Sequence, residues 1–423
     1  MTDIVRQALP WRDPLEVAAT LSDRDGLLAL LSDGGDLGRW SWIACDPEQS
    51  TTGGLGVLDE LLDADARGAV ALVAYDAGAR PATGERPRIW PDVMGARYRA
   101  LLAFDHWTRS AVAMGIGADG ASAARHAEQW LAAPAVSRST APPSASLKPE
   151  ATEGAYREAV SAVVRRIGAG ELFQANIARG WSGVLGEAHQ PFDVLMRLAD
   201  RRSAYGAYWR LGDRAVVSNS PELFLAFDPL TRRLESRPIK GTRPRLSDPV
   251  SDAAQAEALA ASDKDRAENL MIVDLMRNDL SRVCETGSVK VERLFNVERH
   301  PTVHHLVSTV TGRARDGATP AKILQATFPP GSITGAPKHQ AMKVIAEHEP
   351  PRGAWCGSLV WVDPDGGMTA SVLIRTALFD RRAGRWTYRV LAGAGIVADS
   401  DPDLELAETD AKIRALREAL TGA

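Results

Sequence analysis

DKDRAENLMIVDLMRND, residues 263–279, overlaps the end of a longer amphipathic segment, residues 251–277, whose apolar residues recur at helical spacing. It places a carboxylate among them: Glu268 shares a face with Met271, Ile272 and Leu275, and Asp265 lies one turn earlier. A carboxylate turned inward needs a cation, hydrogen bonds or a proton, because burying it unpaired is costly. For this helix taken alone, an ion pair with Arg266 or Arg277 is the plainer reading.

Strands are expected on both sides of this helix. Residues 214–219 and 223–227 precede it, while residues 358–362, 371–379 and 386–391 follow. Further upstream, Tyr156, Val160, Val163, Val164 and Ile167 form one helical face that Gly168 and Gly170 stop, and a strand is expected over residues 172–177. The chain closes in a helix over residues 401–420. Clusters of strands separated by helices favour α+β layers over an alternating parallel sheet. The Ala-, Pro- and Ser-rich residues 134–149 read as a surface connection, dividing the chain into 1–133, a linker at 134–150, and 151–423. In the first part, residues 68–80 and 98–105 read as strands and residues 53–56 as a turn, with no catalytic spacing.

At 423 residues the chain can build a sizeable core, and 45% hydrophobic with 25% charged residues is ordinary for a soluble globular protein. No apolar run approaches the ~20 residues needed to span a bilayer, so no membrane role is expected. Residues 1–10 carry Asp3 and Arg6 where a secretory signal would show a basic flank and an apolar stretch, which points to the cytoplasm. A formal charge of -4 provides no global basic footprint for nucleic acid, leaving a small molecule as the expected partner. Cys45, Cys284 and Cys356, odd in number and widely spaced, fit neither a disulfide framework nor a zinc site. Most basic residues are arginine, so each lysine merits inspection.

In the closing helix, Ser400 or Asp401 is the expected cap and Pro402 lies in the first turn; Glu405, Glu408 and Lys412 then form a stripe beside Ile413, Leu416 and Leu420. A solvated charge stripe is the usual explanation. If this helix faces the one bearing Glu268, the carboxylates supply the hard oxygens that Mg²⁺ requires. GAGIVA, residues 393–398, satisfies G-x-G-x-x-A, but no following strand and acidic residue complete a dinucleotide site. PGSITGAPK, residues 330–338, lacks the spacing of a nucleotide-binding loop. PIKGTRPR, residues 238–245, reads as a loop held out of regular structure, with Lys240 where desolvation would favour a free amine able to act as nucleophile or base. His304 and His305 alternate sides on a strand, so at most one readily faces a given cavity.

Taken in order, GELFQAN, SPELF, PIKGTRPR, DRAENLMIVDLMRNDL, HHLVSTV, PGSITGAPK, RGAWCG, VLIRTA and GAGIVADSDPDLELAET resemble the chorismate-binding enzymes. That family includes anthranilate synthase component I, aminodeoxychorismate synthase component I, isochorismate synthase and salicylate synthase. The resemblance runs from about Tyr156 to the C-terminus and continues more faintly through GRWSWIACDP and AYDAG. It implies a large two-lobed, layered β-sandwich with flanking helices. It also implies Mg²⁺ held by Glu268 and Glu408, with Glu405 and Asp265 acting directly or through water. Arg375, Lys412, Thr334 and the backbone of Ala394 and Gly395 become the carboxylate-binding groups, His305 the active-site histidine, and Glu222 the acid-base carboxylate.

Two positions bear on the activity. The water-adding members place a lysine base where this sequence has Gln174, as the ammonia-using members do. Anthranilate synthases usually read P-I-A-G-T where this chain reads P-I-K-G-T, the form typical of aminodeoxychorismate synthase, in which the lysine attacks C2 of chorismate. Trp355 departs from the family's usual tyrosine; its indole donates a hydrogen bond but accepts none. The sequence has no recognisable glutaminase region, so the resemblance implies chorismate and ammonia as substrates, with a separate glutamine amidotransferase subunit as partner. Anthranilate synthase component I and a non-catalytic ligand-sensing partner of the same fold are the alternatives.

Overall fold

The structure, a computed structural model, describes residues 3–63, 65–134, 141–300 and 303–423. Side chains alternate across a strand, and here both faces of one sheet are apolar. In the strand Ala100–Asp105, Leu101 and Ala103 enter one core while Leu102 and Phe104 enter another. Leu28 and Ala29 divide in the same way. That sheet is therefore a middle layer.

Among the described residues it has 12 strands, and a second sheet has 10. From one edge, the first runs Ile4–Leu9, Ser110–Ile116, Ala100–Asp105, Trp40–Ala44, Leu28–Leu30, Tyr205–Leu211, Arg214–Ser220, Thr376–Arg382, Arg385–Ile396, Gln174–Val184 and Gly335–Ala336, with the short Lys148–Pro149 also paired to Gln174–Val184. The second has Ile239–Pro244 at one edge, then Val303–Arg313, and reaches Ser358–Val362 and Ala69–Val73 near its middle. The pairings are antiparallel, and both sheets draw strands from either side of residues 134–150. Of that connection, residues 135–140 lie outside the described residues. The expected α+β class with two layered sheets is what forms.

The core between the sheets joins Leu101, Trp209 and Leu378 of the first to Val70, Leu225 and Val360 of the second. Helices cover the outer face of the first sheet, where Phe192, Ile413 and Leu416 pack on Tyr208, Val217 and Phe379. No helix among the described residues is long and apolar enough to cross a membrane.

Four expectations change. Residues 68–80 split into the strand Ala69–Val73 and the helix Tyr75–Thr83, because β-branched residues stop at Val73. The segment 251–277 is two helices, Pro249–Ala260 and Asp263–Ser281; Ser262 caps the second, its side chain accepting from the Asp265 N–H at 3.2 Å. PIKGTRPR is an edge strand, Ile239–Pro244, instead of a loop. Residues 371–379 span two strands, Met368–Val372 in the second sheet and Thr376–Arg382 in the first, with Arg375 between them at φ 50°.

Candidate active site

The chain switches sheets at two adjacent points, and each carries a candidate residue. Glu222 lies between Arg214–Ser220 of the first sheet and Leu223–Asp228 of the second, and Arg375 lies in the return crossing. The crossings are stitched together: the Val372 N–H donates to the Glu222 carbonyl at 3.0 Å and the Asn219 N–H to the Arg375 carbonyl at 3.1 Å. Irregular backbone at such corners projects side chains into the gap between layers. Burial pushes the Glu222 carboxyl above its ordinary range, against a hydrogen bond from Ser332 and the fields of Lys240 and Lys412. Burial lowers Arg375, and Glu222 opposes that shift.

Lys240 owes its position to a β-bulge. Ile239 faces Val307 and Thr242 faces His305, so Lys240 and Gly241 together oppose Leu306 alone. Gly241 takes φ +80°, the left-handed geometry of a glycine bulge; a Cβ there would stand 2.9 Å from both Asp265 and Leu259. The bulge brings the amine to the Gly395 face of the neighbouring sheet. A methyl group on Gly395 would lie 3.1 Å from Lys240 Nζ and 2.8 Å from Gln174 Nε2. Gln174 is fully buried, yet neither its Oε1 nor its Nε2 has a hydrogen-bond partner among the described residues.

His305 faces this side, its Nδ1 2.9 Å from the Thr242 hydroxyl, whereas His304 turns away to Asp252 at 2.8 Å. Burial, then the charge of Arg375, pushes His305 down to about 3, so its imidazole is neutral at physiological pH. Trp355 is buried with its indole N–H unpartnered among the described residues, and a Cβ on Gly393 would meet its ring at 3.2 Å. Lys412 donates to the Gly393 carbonyl at 2.9 Å and pairs with Glu408 at 2.6 Å.

Other expected groups serve the frame. The Thr334 hydroxyl donates to the carbonyls of its own loop, Pro330 and Gly331, each at 3.1 Å. The Ala394 side chain enters the core behind the strand with Ile177 and Val160. Lys338 of PGSITGAPK is held by Asp279 at 2.5 Å and by the Pro329 carbonyl at 2.8 Å. Sequence reasoning missed Ser332, Asn176 and Lys264. Asn176 was accessible to it, since two residues beyond Gln174 on a strand means the same face.

The two acidic helices do face each other electrically. Burial raises Glu268, opposed by Lys240 and Lys264 and reinforced by Asp265 and Glu408. Burial also raises Glu405, although Ser400 donates to it at 2.7 Å. For Glu408, burial pushes upward, but Lys412 together with Lys240 and Lys264 outweighs it and holds the carboxyl low. Asp265, by contrast, pairs with Arg243 at 3.1 Å, and Glu268 has no ion-pair partner among the described residues. No three His, Cys, Asp or Glu side chains among the described residues are gathered tightly enough to form a metal cage. Mg²⁺ does not need one, because it keeps several waters and binds through one or two carboxylates plus substrate. Glu268 on one helix, with Glu408 and the buried Glu405 on the other, fits it in donor chemistry.

A cavity of about 670 Å³ opens elsewhere, between Trp90, Lys148 and Tyr388. It gathers none of these groups.

A sequence model of the chorismate binding enzymes matches residues 46–418. The chain belongs to the chorismate-binding enzyme family. As a member, it is a chorismate-utilising enzyme. It is 41% identical over 353 residues to aminodeoxychorismate synthase component 1 of Salmonella typhimurium, covering 82% of this chain and 75% of that one. It is 33% identical over 452 residues to anthranilate synthase component 1 of Aeropyrum pernix, covering 97% of each. The structure superposes on anthranilate synthase component I from Streptococcus pneumoniae with a TM-score of 0.78 at 26% identity, covering 89% of this chain and 92% of that one. With the menaquinone-specific isochorismate synthase of Escherichia coli, the TM-score of 0.79 at 19% identity, over 99% of this chain and 95% of that one, shows the shared fold.

Proposed function

We propose that this chain is the synthase component of an aminodeoxychorismate synthase, converting chorismate and ammonia to 4-amino-4-deoxychorismate for p-aminobenzoate and folate synthesis. The observation that carries this reading is Lys240, an amine re-aimed by a bulge to the Gly395 face beside the neutral amide of Gln174.

In this mechanism the Lys240 amine attacks C2 of the ring. The two ring double bonds shift, the C4–O bond breaks, and Glu222, whose carboxyl burial raises, gives its proton to the departing hydroxide, which leaves as water. Ammonia then attacks C4, the double bonds shift back, the C2–N bond breaks with its electron pair returning to Lys240, and the new C4 nitrogen gives its extra proton back to Glu222. Two allylic displacements thus replace one difficult substitution. Arg375 and Lys412 orient the substrate carboxylates, and neutral His305 shapes the cavity without adding charge. When bound by Glu268 and Glu408, with Glu405 behind them, Mg²⁺ would supply positive field for a substrate dianion that bare glutamates repel.

The name component 1 carried by the relatives supports a separate glutamine amidotransferase subunit as the ammonia source. Amination at C2 to anthranilate is the second reading, favoured by anthranilate synthase component 1 of Streptomyces coelicolor at 42% identity over 272 residues. Lys240→Ala separates the two readings. It should cut 4-amination steeply and let some anthranilate appear, because ammonia gains access to C2; unchanged 4-amination would refute the nucleophile.

A further inference from the structure

The cavity of about 670 Å³ that lies away from the active site has a floor set by strand register. Residues directly opposite on neighbouring antiparallel strands share a face. Lys148 lies opposite Ser182, Ser182 opposite Arg389, and Arg389 opposite Leu378, so four strands contribute one row. Val184, Thr387 and Asp380 form the next row. Trp90, Pro350 and Pro351 complete the lining from other parts of the chain.

The carboxylates of this lining are committed. Glu150 accepts from Arg389 through both oxygens, at 2.8 and 2.9 Å. Asp380 pairs with Arg214 at 3.2 Å and accepts from the Trp90 indole. Arg389 is fixed further by the Pro351 carbonyl at 2.6 Å. The cations Lys148 and Arg382 are left over, neither with an ion-pair partner among the described residues. The Ser182 hydroxyl, across from Lys148, has no hydrogen-bond partner among them either.

We infer that this cavity is a binding site for an aromatic anion. Its acidic group bonds to the Lys148 ammonium and the Ser182 hydroxyl, and its rings lie against Trp90, Pro351 and Val184. Small-molecule pockets span about 300–1,000 Å³ and are mostly apolar with a few placed polar groups, a description that this lining meets. Tryptophan and proline present flat apolar faces to a ring, while an ammonium beside a hydroxyl supplies charge-assisted donors to a carboxylate or sulfonate. A cationic ligand would meet Lys148 and Arg382 with no free carboxylate to receive it. The site shares no residue with the candidate active site and does not depend on the reaction assigned there.

The test titrates the intact chain with 8-anilinonaphthalene-1-sulfonate and with its uncharged relative N-phenyl-1-naphthylamine, following the rise in emission. Chorismate and Mg²⁺ are present, without ammonium, to occupy the active site. Lys148→Glu should weaken the sulfonate about tenfold or more and the neutral relative less than about twofold, because only the anion meets the ammonium. Val184→Glu sets a carboxylate on the apolar wall and should weaken both compounds about fivefold or more. Both side chains are exposed, so both variants should fold, with melting curves like the parent's. Unchanged sulfonate affinity in Lys148→Glu, or an equal loss for the two compounds, overturns the site. So does retention of both affinities in Val184→Glu.

Discussion

Glu222 and His305 show how burial alone sets opposite tasks for two ionisable side chains. Glu222 is 5% exposed and its carboxyl is raised by desolvation, which suits a proton donor at neutral pH. Glu222→Gln should lower kcat about 10²- to 10⁴-fold while chorismate binding, measured by calorimetry, persists. A variant retaining the parental rate would remove Glu222 from the chemistry. His305 titrates near 6.5 in an unfolded chain and is pushed down to about 3 here. The folded state thus binds fewer protons than the unfolded state between those values. The stability gained by keeping the ring neutral is present above 6.5 and is lost as pH falls toward 3. His305→Gln should flatten the pH dependence of the denaturation midpoint across that window. It should also leave the shape of the rate profile between pH 6 and 8 intact. A rate limb that vanishes with the histidine would contradict its neutrality.

Secondary elements position these residues in ways the sequence reveals unevenly. The Asp263–Ser281 and Pro402–Thr421 helices were legible because caps and apolar spacing are local signals: Asp401 accepts from the N–H groups of Asp403 and Leu404 at 2.9 and 3.0 Å, ahead of Pro402. The inward setting of Glu268 was readable from the same spacing. Partners across the chain were not: Asp265 takes Arg243 from a distant strand, which no helical period could name. The bulge at Lys240 and the sheet switch at Arg375 were hidden for a similar reason. Both depend on which strand lies alongside, and the residues around them read simply as loop or as continuous strand. At this scale the prediction concerns the two helices together. Glu268→Gln or Glu408→Gln keeps side-chain volume and removes one anionic oxygen donor, so each variant should remain folded yet lose Mg²⁺-dependent turnover and Mg²⁺ binding by calorimetry. Full activity of both at limiting Mg²⁺ would end the metal assignment.

Across the whole molecule, the site lies where two sheets meet. Catalytic candidates come from an edge strand of one sheet, an inner pair of strands in the other and helices on separate flanks. The buried guanidinium of Arg352 ties this region together: it pairs with Glu349 at 2.8 Å, bonds the carbonyls of Ile333 and Asn176 at 3.0 and 2.7 Å, and lies over the rings of Tyr75 and Trp355. The helix carrying Tyr75, encoded before the linker, therefore backs a wall of the cavity built after it. The fold follows from this arrangement as a whole, whereas in the proposed reaction the choice of ring carbon turns on Lys240. The decisive measurement incubates the intact chain with chorismate, Mg²⁺ and ammonium and identifies the product by mass and ultraviolet spectrum. The account predicts 4-amino-4-deoxychorismate; anthranilate as the sole aminated product would contradict it.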